Sequence, residues 1–256
     1  MNFQQRFARS DDTAAVLGGG AIETLSVDAS DMGLGPLLEL LILRRGANCA
    51  VQVSDGSRRG RLLRRSLKST RPYLSEGGTG ILHHRAGGGP EANAAANDFA
   101  DAFRKQLVEA GVVPTAALRL SGGLHELLNN VEEHAGNGVD GIGAFDVQER
   151  SAWMVVADSG GGVMGGYRTS PLKEQPMDAE VALKWAVIDH RSRTGDAARG
   201  TGFQTVIQSV RSLDGSLRVR SDAASIELEQ GADRSSFLLR EQGNLRGFVV
   251  SVLLHW

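Results

Sequence analysis

The chain has 256 residues and a mass of 27.2 kDa, long enough for one large domain or two small ones, and its 41% hydrophobic and 23% charged content is an ordinary globular mix. Lys and Arg number 28 against 30 Asp and Glu, so no global basic field exists to hold nucleic acid, and none is expected as a direct partner. A single cysteine, Cys49, excludes an internal disulfide and any Cys/His zinc set, while 33 glycines against a usual ~7% of residues require many turns, linkers or close backbone approaches.

Met1 to Ser10 carries no apolar core of a secretion leader. Together with the lone cysteine this gives the expectation of a cytoplasmic protein. Ile22–Val27 reads as a short strand. Pro36–Arg45 reads as a helix opened by proline and closed by Gly46. Its apolar run, Leu37 to Leu43 interrupted by Glu39, is too short to span a bilayer. Cys49–Ser54 alternates as a second strand, and Arg58–Leu67 is a basic, partly amphipathic helix whose charged face is expected to be solvated. This order predicts a small α/β unit over 1–82. The segment Ser75–Asn93 is poor in apolar residues and holds GG, HH and GGG, so 83–93 is expected to be a linker, with His83 and His84 solvated in it.

The remainder, 94–256, starts with helices near Glu91–Glu109 and Ser121–His134. Strands Gly143–Gln148 and Ala152–Ala157 follow, joined by a turn at 149–151. A glycine-punctuated stretch from Ser159 to Gly202 contains one helix, Asp178–Asp189. Thr201–Ser212 is helical, and strands follow at Ser216–Val219, Ser225–Leu228, Ser236–Leu239 and Phe248–Leu254. Helices followed by an antiparallel sheet predict an α+β layered sandwich.

Three pieces carry chemistry. In Glu126-Leu-Leu-Asn-Asn130-Val-Glu-Glu-His134, the spacing i, i+4, i+8 puts Glu126, Asn130 and His134 on one helix face. An amide oxygen is a hard neutral ligand suited to magnesium, and a carboxylate one turn away can activate water or a hydroxyl near a phosphate. Asp158-Ser-Gly160-Gly-Gly162 follows a strand, where the carboxylate can accept from an exocyclic amine and the glycines let a flat ring approach. Arg199-Gly200-Thr201-Gly202 opens a helix whose free N–H groups suit phosphate. Taken singly, each also fits a bland structural role: a polar helix face, a capped turn, a loop-to-helix junction. No Walker A loop and no strand-to-helix dinucleotide fingerprint is present.

Together and in this order, the three pieces resemble the ATP-binding domain of the GHKL superfamily, which includes gyrase B, histidine kinases and the anti-sigma-factor serine kinases. Glu126 and Asn130 match the N-box, with His134 where the anti-sigma kinase branch usually has His. Asp158, Gly160 and Gly162 match the DxGxG box, and Gly200 and Gly202 the later glycine box. The resemblance covers about residues 95–256. It implies a Bergerat-type two-layer α/β sandwich over 94–256 in which 160–202 forms an ATP lid. It further implies that Asn130 binds Mg2+ bridging the phosphates of ATP, Asp158 holds the adenine amino group and Glu126 is the general base. Lys173, Lys184, Arg191 and Arg193 in the lid match no family motif. Residues Leu25–Leu38, with Asp31 followed by Met32, resemble a STAS domain that lacks the phosphorylatable serine. The expected function is therefore an Mg-ATP-binding signalling protein with a regulatory protein partner, a serine/threonine kinase of anti-sigma type, and a homodimer. The alternatives are a non-catalytic ATP-gated switch and a conformational ATPase; the chain's lack of a transducer domain after residue 256 counts against a gyrase-like machine.

Overall fold

The computed structural model describes residues 3–19, 24–29, 32–47, 50–53, 56–68, 71–134, 139–191, 201–231 and 236–256. A 3-10 turn at Gln4–Arg6 leads into α1 (Ala8–Gly19), where the Ser10 and Thr13 hydroxyls donate back to the Phe7 and Arg9 carbonyls at 2.8 and 2.7 Å. Next come β1 (Thr24–Val27), α2 (Leu34–Ala47) and β2 (Ala50–Val53). β1 and β2 pair in parallel, as a crossover helix between them requires. α3 (Arg58–Lys68), β3 (Tyr73–Leu74), β4 (Thr79–Arg85), α4 (Gly89–Glu109) and α5 (Pro114–His134) follow. The chain then forms β5 (Asp140–Val147), β6 (Ser151–Asp158), α6 (Gly162–Arg168), α7 (Ala179–Val187), α8 (Thr201–Ser212), β7 (Ser216–Leu228) and β8 (Leu238–His255).

The main sheet has six strands in the order β3-β4-β5-β6-β8-β7, all antiparallel. Its period-two alternation sends Phe145, Met154, Val156 and Val250 to a front face under α4, α5, α7 and α8. Ile142, Trp153, Val155 and Val249 go to a back face under α1, α2 and α3. The protein is thus α+β, as expected, and its sheet is covered on both faces. The helices of the first 68 residues supply the second cover.

The expected linker over 83–93 is mostly regular structure. β4 runs to Arg85, pairs along its whole length with β5, and α4 begins at Gly89. The polar pair His83-His84 concealed the strand, because His84 is only 2% exposed and faces Glu132 of α5 rather than solvent. The paired short strands expected in the tail are continuous: β7 joins 216–219 to 225–228 through a bulge at Ser221–Ala224, and β8 extends from Leu238 to His255.

α2 is apolar on every side, and a helix of that kind must be enclosed. β5, β6 and β8 lie against it, as do α1 and β2. Gly33 and Gly35 allow the close approach, since a Cβ at Gly33 would stand 2.3 Å from the Trp153 ring. Glu39, the lone acid in this helix, is fully buried and joins a charge network. Its carboxylate accepts from Arg218 Nε (2.9 Å), Arg220 Nη1 (2.9 Å) and Ser10 Oγ (3.0 Å). Arg218 also bonds Asp11 and Glu227, and Arg220 donates to the Gly243 carbonyl at 2.9 Å. The basic helix α3 is not simply a solvated face. Arg59 donates to the buried Asp146 at 2.8 Å, Arg58 lies 3.6 Å from it, and Arg65 stacks over Tyr73 at 4.1 Å.

Candidate functional site

α5 begins with Pro114, whose missing N–H costs nothing in a first turn. Leu124, Leu127, Leu128 and Val131 are buried against the sheet, which leaves Glu126 exposed and Asn130 half-buried at the helix margin. The side chain of His134 lies outside the described residues. β6 delivers Asp158 to its C-terminal end, where it is 7% exposed and its Oδ1 accepts the Gly160 N–H at 2.8 Å.

The segments carrying the three motifs meet at this end of the sheet. Asp158 stands opposite Gly141 of β5 on one side and Phe248 of β8 on the other. Val131, next to Asn130, packs onto Gly141 so closely that a Cβ there would lie 2.4 Å from Val131 Cγ1. Phe203, in the first turn of α8, meets Phe248 edge-on with centroids 5.8 Å apart. The end of α5 and the start of α8 therefore flank the strand end that holds Asp158. Arg199 and Gly200 lie outside the described residues. Thr201 and Gly202 are the first two residues of α8.

Several glycines around α5 serve packing. A Cβ at Gly123 would stand 2.7 Å from Val206, and one at Gly143 would stand 2.9 Å from Leu128. Those glycines bring α8 to α5 and α5 to the sheet. Gly162 has φ +68° and opens α6, but the group filling its missing side-chain volume is the Asp222 carboxylate at 2.7 Å.

The segment expected to be a lid carries α6 and α7. Asp178 caps α7 by accepting the Val181 N–H at 2.8 Å. Tyr167 is buried, donates to the Arg191 carbonyl at 2.7 Å and meets Trp185 edge-on. Arg191 stacks on Trp185 at 4.2 Å and pairs with Glu174 at 3.2 Å, and Lys184 pairs with Asp189 at 2.7 Å. Two of its cations are thus engaged within the segment.

On the far side of α5, His84 Nε2 lies 3.6 Å from Glu132 Oε2, beyond hydrogen-bond reach. Burial holds the His84 ring below the ordinary imidazole value, against the pull of Glu132. Among the described residues no group of three or more His, Cys, Asp or Glu side chains is placed to hold a metal. The donor set at Asn130, one neutral hard oxygen, fits magnesium only where phosphates supply most of the other ligands. No described helix is long and apolar enough to cross a membrane.

Sequence reasoning missed Ser221 and Asp222. They come from β7, some 60 residues after the glycine turn they touch, and only the β7 bulge brings them there. No protein-family model matches the chain, and no curated protein matches it.

Proposed function

We propose that this chain binds Mg-ATP around Asp158 as a GHKL-type nucleotide-binding protein and couples that binding to regulatory signalling, with serine/threonine phosphoryl transfer as its activity. One observation carries the reading. Three sequence segments with separate, individually weak nucleotide-binding patterns lie around one strand end, through the Val131–Gly141 and Phe203–Phe248 contacts. In this reading Asp158 accepts from the adenine amino group, and Gly160 leaves room for the base. Asn130 contributes its amide oxygen to magnesium, and the first turn of α8 faces the phosphates with Arg199, Gly200, Thr201 and Gly202. Glu126, exposed at the margin of α5, activates an acceptor hydroxyl.

Titration calorimetry with Mg-ATP tests this. The wild type binds, and Asp158→Ala loses at least tenfold in affinity, since a hydrogen bond at a charged group is worth about 1.5–3 kcal/mol. Asn130→Ala loses the dependence on magnesium. Equal affinity for wild type and Asp158→Ala refutes the site. Labelled ATP then separates activities: Glu126→Ala binds but neither releases nor transfers phosphate. A non-catalytic nucleotide-gated switch is the second reading. It is favoured by the pairing of Lys184 and Arg191 inside their own segment, and it stands alone if the wild type turns over no ATP.

A further inference from the structure

Three backbone positions in the left-handed region meet beside Asp158: Gly162 (φ +68°), Asp222 (φ +53°) and Gly247 (φ +123°). A Cβ at Gly247 would stand 2.1 Å from the Asp158 carbonyl oxygen, and one at Gly162 would stand 2.7 Å from Asp222 Oδ1. Asp222 is the informative member. A non-glycine residue in this region carries strain that the surrounding structure must hold, and such positions cluster at functional sites. The strain falls in the β7 bulge, which turns two consecutive side chains onto the first turn of α6. Ser221 Oγ accepts the Val163 N–H at 2.9 Å, and its single proton has two acceptors in reach, the Gly247 carbonyl at 2.8 Å and Asp222 Oδ2 at 2.9 Å. Asp222 Oδ2 accepts the Met164 N–H at 3.1 Å.

We propose that Asp222, seconded by Ser221, is a positioning residue that straps α6 to β7 and so fixes the Asp158–Gly162 turn in the form that receives the nucleotide. The role toward nucleotide rests on the functional reading above, whereas the strap itself does not. Asp222 touches no reacting atom and acts through α6. The carboxylate also accounts for the lack of a side chain at Gly162, since any Cβ there would displace it.

The test compares Asp222→Gly, which keeps the left-handed backbone and removes the carboxylate, with Asp222→Asn, which keeps an acceptor and tolerates the conformation. Amide hydrogen exchange and nucleotide dissociation rate are read together on the full chain. Exchange at Met164, whose N–H loses its acceptor, should rise roughly ten- to hundredfold in Asp222→Gly, the size of a lost charged hydrogen bond. The dissociation rate of Mg-ATP should rise about tenfold or more in the same variant, by the same reasoning, and Asp222→Asn should restore most of both. Unchanged exchange at Met164 overturns the strap. Raised exchange with an unchanged dissociation rate overturns the positioning role. A wild type that binds no nucleotide overturns the functional reading and the positioning role with it, and the exchange result then decides the strap alone.

Discussion

Replacing Glu39 with alanine is the most severe single test of how the chain is assembled. Glu39, Arg218, Arg220 and Glu227 have fully buried side chains, and Asp11 closes the group at its rim. Glu39→Ala removes acceptors from Arg218 Nε and Arg220 Nη1 and takes a partner from Ser10. Arg220 would keep the Asp11 carboxylate at 3.0 Å and the Gly243 carbonyl at 2.9 Å, but its Nε already has no hydrogen-bond partner. Removing one member of a buried ion-pair group costs about 3–5 kcal/mol, because the two desolvated guanidiniums are left with fewer acceptors. At roughly 2–4 °C per kcal/mol for a protein near this size, the midpoint should fall by about 6–20 °C. Urea titration and thermal melting followed by circular dichroism measure both. Asp101→Ala, at an exposed pair with Arg104, is the control and should change nothing measurable. The double replacement of Glu39 and Arg220 by methionine should be less damaging than the sum of the two singles, because it removes a pair rather than orphaning a charge. A loss below about 1 kcal/mol in Glu39→Ala, or strict additivity in the double variant, refutes the reasoning.

Asp11 tests the same network by pH. Burial raises its carboxyl above the ordinary 3.8, ahead of the opposing pull of Arg218, so the folded protein holds this proton more tightly than the unfolded chain does. Its contribution to stability therefore grows as pH falls from neutrality toward about 4, and the wild-type advantage over Asp11→Asn should widen over that range in urea titrations; a flat difference sinks the assignment. His84 has the opposite sign: its depressed folded value means stability held above about 6.5 and lost as pH drops, so His84→Gln should flatten the acid limb of the melting-temperature curve below that pH. Gly141→Ala should destabilise by about 1–3 kcal/mol, since its methyl meets Val131 at 2.4 Å and the His84 carbonyl at 3.1 Å; an unchanged melting temperature would show that α5 yields freely at that point.

Long periodic elements were legible in the chain, and the reasons are local. α8 lies where its apolar spacing placed it, α5 ends at His134 as predicted, and β5 and β6 follow from apolar alternation around the turn at 149–151. β4 was hidden because its polarity is satisfied by a distant partner, with His84 facing Glu132 across 3.6 Å. α1 was hidden for a similar reason. Asp11 and Ser10 carry no local sign of burial; their partners Arg218 and Glu39 lie more than 200 and about 30 residues away in the chain. Glu39 was the available signal, because an acid inside an otherwise apolar helix must find a cation when that helix is enclosed. α3 gave a misleading signal, since its charge run is partly consumed by Asp146, itself an unremarked acid in an apolar strand.

The glycine excess shows where pattern reading stops. Where a glycine marks a place too close for a side chain, the sequence does not say what comes close. At Gly33 the neighbour is Trp153, at Gly123 it is Val206, and at Gly141 it is Val131, so these positions report helix–sheet distance. At Gly162 the neighbour is a carboxylate donated by a bulge on another strand, and at Gly247 it is the backbone of Asp158. This last pair shapes the turn that follows Asp158, and both members are in the left-handed region, which the packing glycines Gly33, Gly123 and Gly141 are not. Among these five, positive φ combined with a polar neighbour separates Gly162 and Gly247, which shape the turn at Asp158, from the three that admit a helix. Substituting alanine should divide them the same way. At Gly123 it should lower stability and leave the exchange of 160–164 amides unchanged, whereas at Gly162 it should raise that exchange by displacing Asp222. Equal effects of the two substitutions on those amides would remove the distinction.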